Sequence, residues 1–198
     1  MTGFVLAISG PPGAGKTTLV GELMRRLPEA MAIEMDRYEQ ATYRAPSEMA
    51  AWLARGADYD ALPLGTLAAD LAALKAGDRP VVFDTLLGRA HQDSGRSIDR
   101  LVWIDLSLDL ALSRKLGAMA KSLRNAPRHE TERFVGWLDD YLDYYAGFIH
   151  DSYRIQHERV RSGADWFVDG RLPPAAQADA VLDRLNADIG FGARGSKT

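Results

Sequence analysis

The chain has no cysteine among its 198 residues, so no disulfide staples it and no thiolate can serve as nucleophile or metal ligand. That composition suits a reducing compartment, and a cytoplasmic location is the expectation. Positive charge is not in excess either: 24 Lys and Arg stand against 27 Asp and Glu, a net charge of −3. A general binder of nucleic acid or of a membrane surface is thereby disfavoured, so neither partner is expected. No apolar run approaches the roughly 20 residues of a membrane span, and the first residues lead into a strand rather than a signal peptide. Internal repeats and low-complexity blocks are missing. No Asn-Lys-x-Asp occurs, which removes the guanine-reading element of a GTPase. What is left is ordinary, 46% hydrophobic and 26% charged, at a length that suits one domain with a sizeable core.

Into this plain background is set one specific motif. Gly10-Pro11-Pro12-Gly13-Ala14-Gly15-Lys16-Thr17 fits G-x-x-x-x-G-K-[ST] at every defined position, with Thr18 directly after it. An apolar run, Phe4 to Ile8, enters the motif, and a helical pattern, Thr18 to Leu27, leaves it. Glycines let the backbone wrap so that successive N–H groups face inward as an anion-binding nest. The helix N-terminus adds partial positive charge, Lys16 reaches the β- and γ-phosphates, and the Thr17 hydroxyl ligates Mg2+. The stretch predicts a site for a nucleoside triphosphate, with ATP as the expected nucleotide.

Further strands follow in order. Ala30 to Met35 reads as the second and ends on Asp36-Arg37-Tyr38; residues just past the carboxyl ends of parallel strands face the ligand crevice. Asp36 is therefore placed near the phosphate loop, unless it only caps the next turn. Residues 37–63 form an irregular insertion rich in Tyr43, Arg44, Trp52, Arg55 and Tyr59. It reads either as a substrate lid or as a surface helix packed on the body. Leu64 to Ala76 predicts a helix with Leu67, Leu71 and Leu74 on one face, stopped by Gly77. Val81-Val82-Phe83 then predicts a third strand ending on Asp84, a Walker-B arrangement in which the acid holds Mg2+ directly or through water. Arg89 and His91 come next, on the expected crevice side. Arg89 would grip a phosphate or carboxylate and His91 would orient a hydroxyl, or the histidine is merely solvated.

Leu101 to Ile104 is the fourth expected strand. The helix after it carries Leu108, Leu110, Ala111, Leu112 and Leu116 for the core and a basic run of Arg114, Lys115, Lys121 and Arg124, with Arg128 beyond. That run is either a solvated face or a mobile lid over about residues 114–130 that brings cations to a transferring phosphate. The long helical stretch from Glu130 to Val160 is dense in aromatics and reads as core, with room for a homodimer surface. Trp166 to Val168 makes the fifth strand, a helix from Pro174 to Asp188 closes a single domain over residues 1–189, and 190–198 is the expected tail.

The assembled pieces resemble the uridine kinase-like branch of P-loop kinases, which is related to uridine/cytidine kinases, bacterial pantothenate kinase and phosphoribulokinase. The likeness rests on the Gly10–Thr18 loop, Asp36-Arg37-Tyr38, Leu74-Lys75-Ala76-Gly77, and the run from Trp103 to Arg114. It implies an α/β fold of the P-loop NTPase kind, three layers α/β/α, with a five-stranded parallel sheet in the order 2-3-1-4-5 and a helical lid. It further implies that Asp36 accepts the proton of a substrate hydroxyl, that Arg114 is a lid arginine, and that Asp169 to Pro173 lie beside the adenine. Two departures stand out: only Asp78-Arg79-Pro80 separates the Lys-x-Gly turn from the third strand, which leaves out a base-reading segment, and Asp84-Thr85 replaces Glu-Gly.

The resulting expectation is an ATP- and Mg2+-dependent transfer of the γ-phosphate to a hydroxyl of a small nucleoside- or sugar-like metabolite. Lys16, Asp36 and Arg114 would be catalytic, Thr17 and Asp84 would hold the metal, and Asp36, Arg44, Arg89 and His91 would bind the acceptor. The rival expectation is a nucleotide-dependent ATPase or switch module that acts on a protein partner.

Overall fold

A computed structural model describes residues 3–38 and 45–189. Five parallel strands, β1 (Val5–Ser9), β2 (Met31–Glu34), β3 (Val81–Asp84), β4 (Arg100–Asp105) and β5 (Trp166–Asp169), form one sheet in the order β2-β3-β1-β4-β5. This is the order implied by the resemblance. The central strand β1 and its neighbour β3 are buried along their whole length, as near-continuous apolar runs covered on both faces must be.

Side-chain alternation sorts these runs into two cores. Leu6, Ile8, Val82, Val102 and Ile104 point to one face, where they meet Leu19 and Leu23 of α1 (Lys16–Arg26) and Val181 and Leu185 of α8 (Pro174–Ile189). Val5, Ala7, Val81, Phe83, Leu101 and Trp103 point to the other, against Leu67 and Leu71 of α3 (Leu67–Ala76) and Val160 of α7 (His150–Arg161). The strand register aligns Ile8 with Asp84 and Glu34 with Asp84, so the carboxyl ends of β1, β2 and β3 finish together. The phosphate loop leaves from that end.

Several elements differ from expectation. The insertion at 37–63 contains a helix, α2 (Pro46–Ala54), and a 3-10 turn at Tyr59–Ala61. Trp52 and Tyr59 are buried and stack on each other with ring centroids 5.7 Å apart. Helix α4 (Gln92–Gly95) is a single short turn, and α5 (Leu108–Ser122) buries only Ala111, leaving Leu110 exposed.

The long aromatic stretch is one continuous helical path, α6 (Arg128–Tyr144), a π-helical turn (Tyr145–Ile149) and α7. Reading its aromatics as core is corrected by the structure, because Tyr141 alone among them is buried while Trp137 and Tyr144 are exposed. Phe134, Trp137, Tyr141 and Tyr145 instead form a ladder along the helix, with successive centroids 5.7, 4.9 and 6.0 Å apart. Helical spacing alone cannot distinguish such a self-stacked ladder from a core stripe. No helix among the described residues is long and apolar enough to cross a membrane.

Candidate active site

The loop between β1 and α1 is shaped by backbone that only glycine adopts readily. Gly13 and Gly15 have φ of 92° and 99°. A Cβ at Gly13 would overlap the carbonyl oxygen of Ala111 on α5, so the loop can lie this close to that helix only with glycine there. Lys16 and Thr17 open α1, where the first amides have no carbonyl a turn earlier to bond and remain available to an anion.

Lys16 folds back over the loop, and its Nζ donates to the carbonyls of Gly10 at 3.0 Å and Pro11 at 3.3 Å. Burial lowers its ammonium from 10.5 to about 8, even though the carboxylates of Asp84 and Asp36 pull the other way; Lys115 on α5 pushes it further down. The Thr17 hydroxyl donates to Asp84 Oδ2 at 2.8 Å. Burial raises the Asp84 carboxyl above the usual range, opposed by the Thr17 hydrogen bond and Lys16 and assisted by Asp36 and Glu34. Asp36 sits exposed in the 3-10 turn Met35–Arg37 that ends β2. Lys16, Thr17, Asp36 and Asp84 thus belong to one electrostatic neighbourhood at the carboxyl ends of three adjacent strands. A hydroxyl and a carboxylate already in contact, with room for water, suit Mg2+, which takes few protein oxygens and keeps much of its hydration.

Two cavities meet at the loop. One, of about 760 Å³, runs along Gly13 to Thr18 and is walled by Arg114, Lys115 and Arg171. The other, of about 330 Å³, reaches the loop at Pro12 and is overwhelmingly apolar. Arg114 is where the basic run placed it, and its Nη1 donates to the Gly170 carbonyl at 2.7 Å, joining α5 to the loop after β5. Lys121 and Arg124 are exposed on the end of that helix.

The other expected contributors fall elsewhere. Arg89 is spent on structure: it donates to the Gly163 carbonyl at 2.8 Å, the Asp99 carbonyl at 3.1 Å and Asp165 Oδ2 at 2.8 Å. These partners lie at the amino ends of β4 and β5, so Arg89 turns away from the crevice. His91 is buried and caps α4, its Nδ1 accepting from the Ser94 amide at 3.3 Å. Both acceptor-binding roles are corrected on these grounds. Arg44 lies outside the described residues.

Sequence reasoning named Lys115 only within the basic run. Its Nζ donates to the Tyr141 hydroxyl at 3.2 Å and stands 4.4 Å from that ring's centroid, which holds it at the loop. Gln156 was missed altogether. Its Nε2 donates to the Leu86 carbonyl at 2.7 Å and the Gly10 carbonyl at 3.3 Å, bracing the start of the loop from α7. A glutamine on the stripe that carries Val160 was the available signal, because a polar residue on a buried helix face needs a reason to be there.

Several solved structures share this architecture. A gluconokinase from Sinorhizobium meliloti aligns over 98% of both chains at 20% identity with a TM-score of 0.55. The fold is that of the P-loop kinases. A shikimate kinase from Aquifex aeolicus aligns over 96% of this chain and 99% of its own at 17% identity, TM-score 0.52. A deoxyadenosine kinase from M. mycoides, solved with bound dATP, aligns over 92% of this chain and all of its own at 16% identity, TM-score 0.54. No protein-family model matches the chain, and no curated protein matches it by sequence. At these identities the P-loop kinase likeness is one of architecture.

Proposed function

We propose that this P-loop kinase-fold protein transfers the γ-phosphate of ATP to a hydroxyl of a small molecule. The observation that carries the reading is the pair of unlike cavities that share the phosphate loop. The larger one is cationic, as a polyphosphate requires, and the smaller is apolar and begins at Pro12, beside Met35 and hence beside Asp36. A nucleotide in the first would lie along Lys16, and an acceptor in the second would lie near Asp36, the residue after Met35.

In this reading the loop amides and Lys16 hold the β- and γ-phosphates, and Arg114 and Lys115 spread the charge that develops on the moving phosphoryl group. Thr17 and Asp84 would hold Mg2+, which supplies charge neutralisation on the phosphates. Asp36 orients the acceptor hydroxyl and takes its proton as the new O–P bond forms; the bond from the γ-phosphorus to the bridging oxygen breaks and ADP leaves. Asp169 to Pro173 border the larger cavity through Arg171, Leu172 and Pro173, which supports their placement beside the adenine. The positions of Asp36 and Arg114 favour a uridine kinase-like arrangement of the machinery.

ADP release measured across a panel of hydroxyl-bearing metabolites tests the proposal. Release that rises only with a particular alcohol, with phosphate appearing on that alcohol, is the expected outcome. Steady hydrolysis indifferent to every acceptor would replace it with the ATPase or switch reading.

A further inference from the structure

The smaller cavity has a chemistry of its own. Its walls come from α2, the turn after β3, the π-helical turn and α7. The rings of Trp52, Tyr59, Phe148 and Tyr153 and the side chains of Met35 and Met49 are among its walls. No Lys, Arg, Asp, Glu or His lines it among the described residues. The polar groups of the aromatic walls are suited to staying neutral. Trp52 Nε1 donates to the Asp58 carbonyl at 2.9 Å, and burial raises the Tyr59 phenol to about 12. Burial also raises the Tyr153 phenol strongly, and the neighbouring Tyr141 adds to the effect.

One polar atom is left over. Gln156 is 5% exposed and lines the cavity, and its Oε1 has no hydrogen-bond partner. The amide cannot be turned round to relieve this, because its Nε2 already faces two carbonyl acceptors. A buried acceptor without a donor is uncommon and asks for an explanation.

We infer that this cavity binds an uncharged, ring-bearing alcohol that offers an N–H or O–H to Gln156. Nothing among the described walls would compensate a buried carboxylate, which weighs against sugar acids and other anions. A polyol is disfavoured as well, because most of its hydroxyls would be stripped of water against aromatic and thioether surface. A cavity of about 330 Å³ has room for one or two fused rings with a short hydroxyl arm. That the occupant is the phosphate acceptor rests on the kinase reading; the class of occupant rests on the cavity alone.

Isothermal titration of the full chain with indole-3-ethanol, 1-methylindole-3-ethanol, 2-phenylethanol, gluconate and shikimate tests this. The two indoles differ only in the ring N–H. Saturable binding of indole-3-ethanol is expected, about tenfold tighter than that of its N-methyl counterpart, the ratio one hydrogen bond to a buried acceptor supplies. In Gln156→Met that ratio should fall to near one, and because it is a ratio it is read even if the variant binds both indoles less well. Gluconate or shikimate binding more tightly than every ring alcohol overturns the inference, as does an N-methyl discrimination that survives in Gln156→Met. Phosphorus NMR of the same mixtures with ATP and Mg2+ separates the two readings. Binding without phosphate transfer removes the kinase reading and leaves the cavity's ligand class standing. Transfer to gluconate with no ring alcohol bound does the reverse.

Discussion

Charged side chains gather at both ends of the sheet, and they live in opposite circumstances. At the amino ends, Lys75, Arg89, Asp99 and Asp165 all have partners. Asp99 accepts from the Val5 amide at 2.9 Å and from Lys75 at 2.7 Å, and Lys75 also donates to the Ser97 carbonyl at 2.9 Å. Asp165 accepts from the Leu101 amide at 2.7 Å and from Arg89 at 2.8 Å. Each acid accepts from an amide near the start of a neighbouring strand. At the carboxyl ends, Lys16 is held below its ordinary range and Asp84 above its own, so both carry charge against the preference of their surroundings. The first set looks built for stability and the second for a ligand, which is how perturbed groups tend to distribute between scaffold and site.

The sharpest way to break this contrast is Lys16→Ala. Turnover should fall about a thousandfold, the scale of losing one preorganised charge contact at a phosphoryl group. The nucleotide-free fold should not weaken with it. Because the folded value of about 8 lies under the unfolded 10.5, the unfolded chain holds the extra proton between them, and stability rises with pH across that window. Melting curves of wild type at pH 8 and pH 10 should show this rise, and Lys16→Ala should lack that contribution. Next in size is Asp36→Asn, expected to reduce acceptor-dependent turnover about a hundredfold, as loss of a general base does. Its nucleotide affinity by titration should be unchanged.

A third measurement sharpens the comparison through protons. Phosphate beside Lys16 restores its charge, so nucleotide binding at pH 9 should take up a proton, and affinity should decline above about pH 8. Titrations in buffers of different ionisation enthalpy read the uptake directly. At the satisfied end the effects should be thermodynamic only. Arg89→Ala should cost roughly 2 kcal/mol in urea unfolding, since it strands Asp165 and several carbonyls. His91→Ala should cost about 1 kcal/mol as a lost cap. Neither should alter turnover per folded molecule; a large fall in either would return that residue to the site.

The contrast also explains what could be read from the chain. The strand–loop–helix around Lys16 and the acid ending β3 were legible because each is local, a few residues whose geometry follows from their own types. Asp36 was legible through a general rule about strand ends. Arg89 and His91 follow the same kind of strand end, yet after a 3-10 turn at Gly88–Ala90 the long arginine reaches the amino ends of β4 and β5. No local pattern announces that reversal. Gln156 and Lys115 acquire their roles only when α5, α6 and α7 pack beside the loop, a tertiary fact.

The π-helical turn at Tyr145–Ile149 sets the phase of everything after it. An α-helix advances about 100° per residue, and a π turn spends one residue more than an α turn over the same rise. The ladder of Phe134, Trp137, Tyr141 and Tyr145 therefore ends where Phe148, Ile149, Tyr153 and Gln156 begin to face the cavity. Removing one residue from this turn would restore an ordinary α turn and leave Gln156 and Val160 facing as they do now. A single-residue deletion in α7 ahead of Gln156, where the helix has no surplus residue to give up, would act like turning a key in a lock: the side chains beyond it swing by about 100°, and the loop brace and the cavity wall lose their alignment at once.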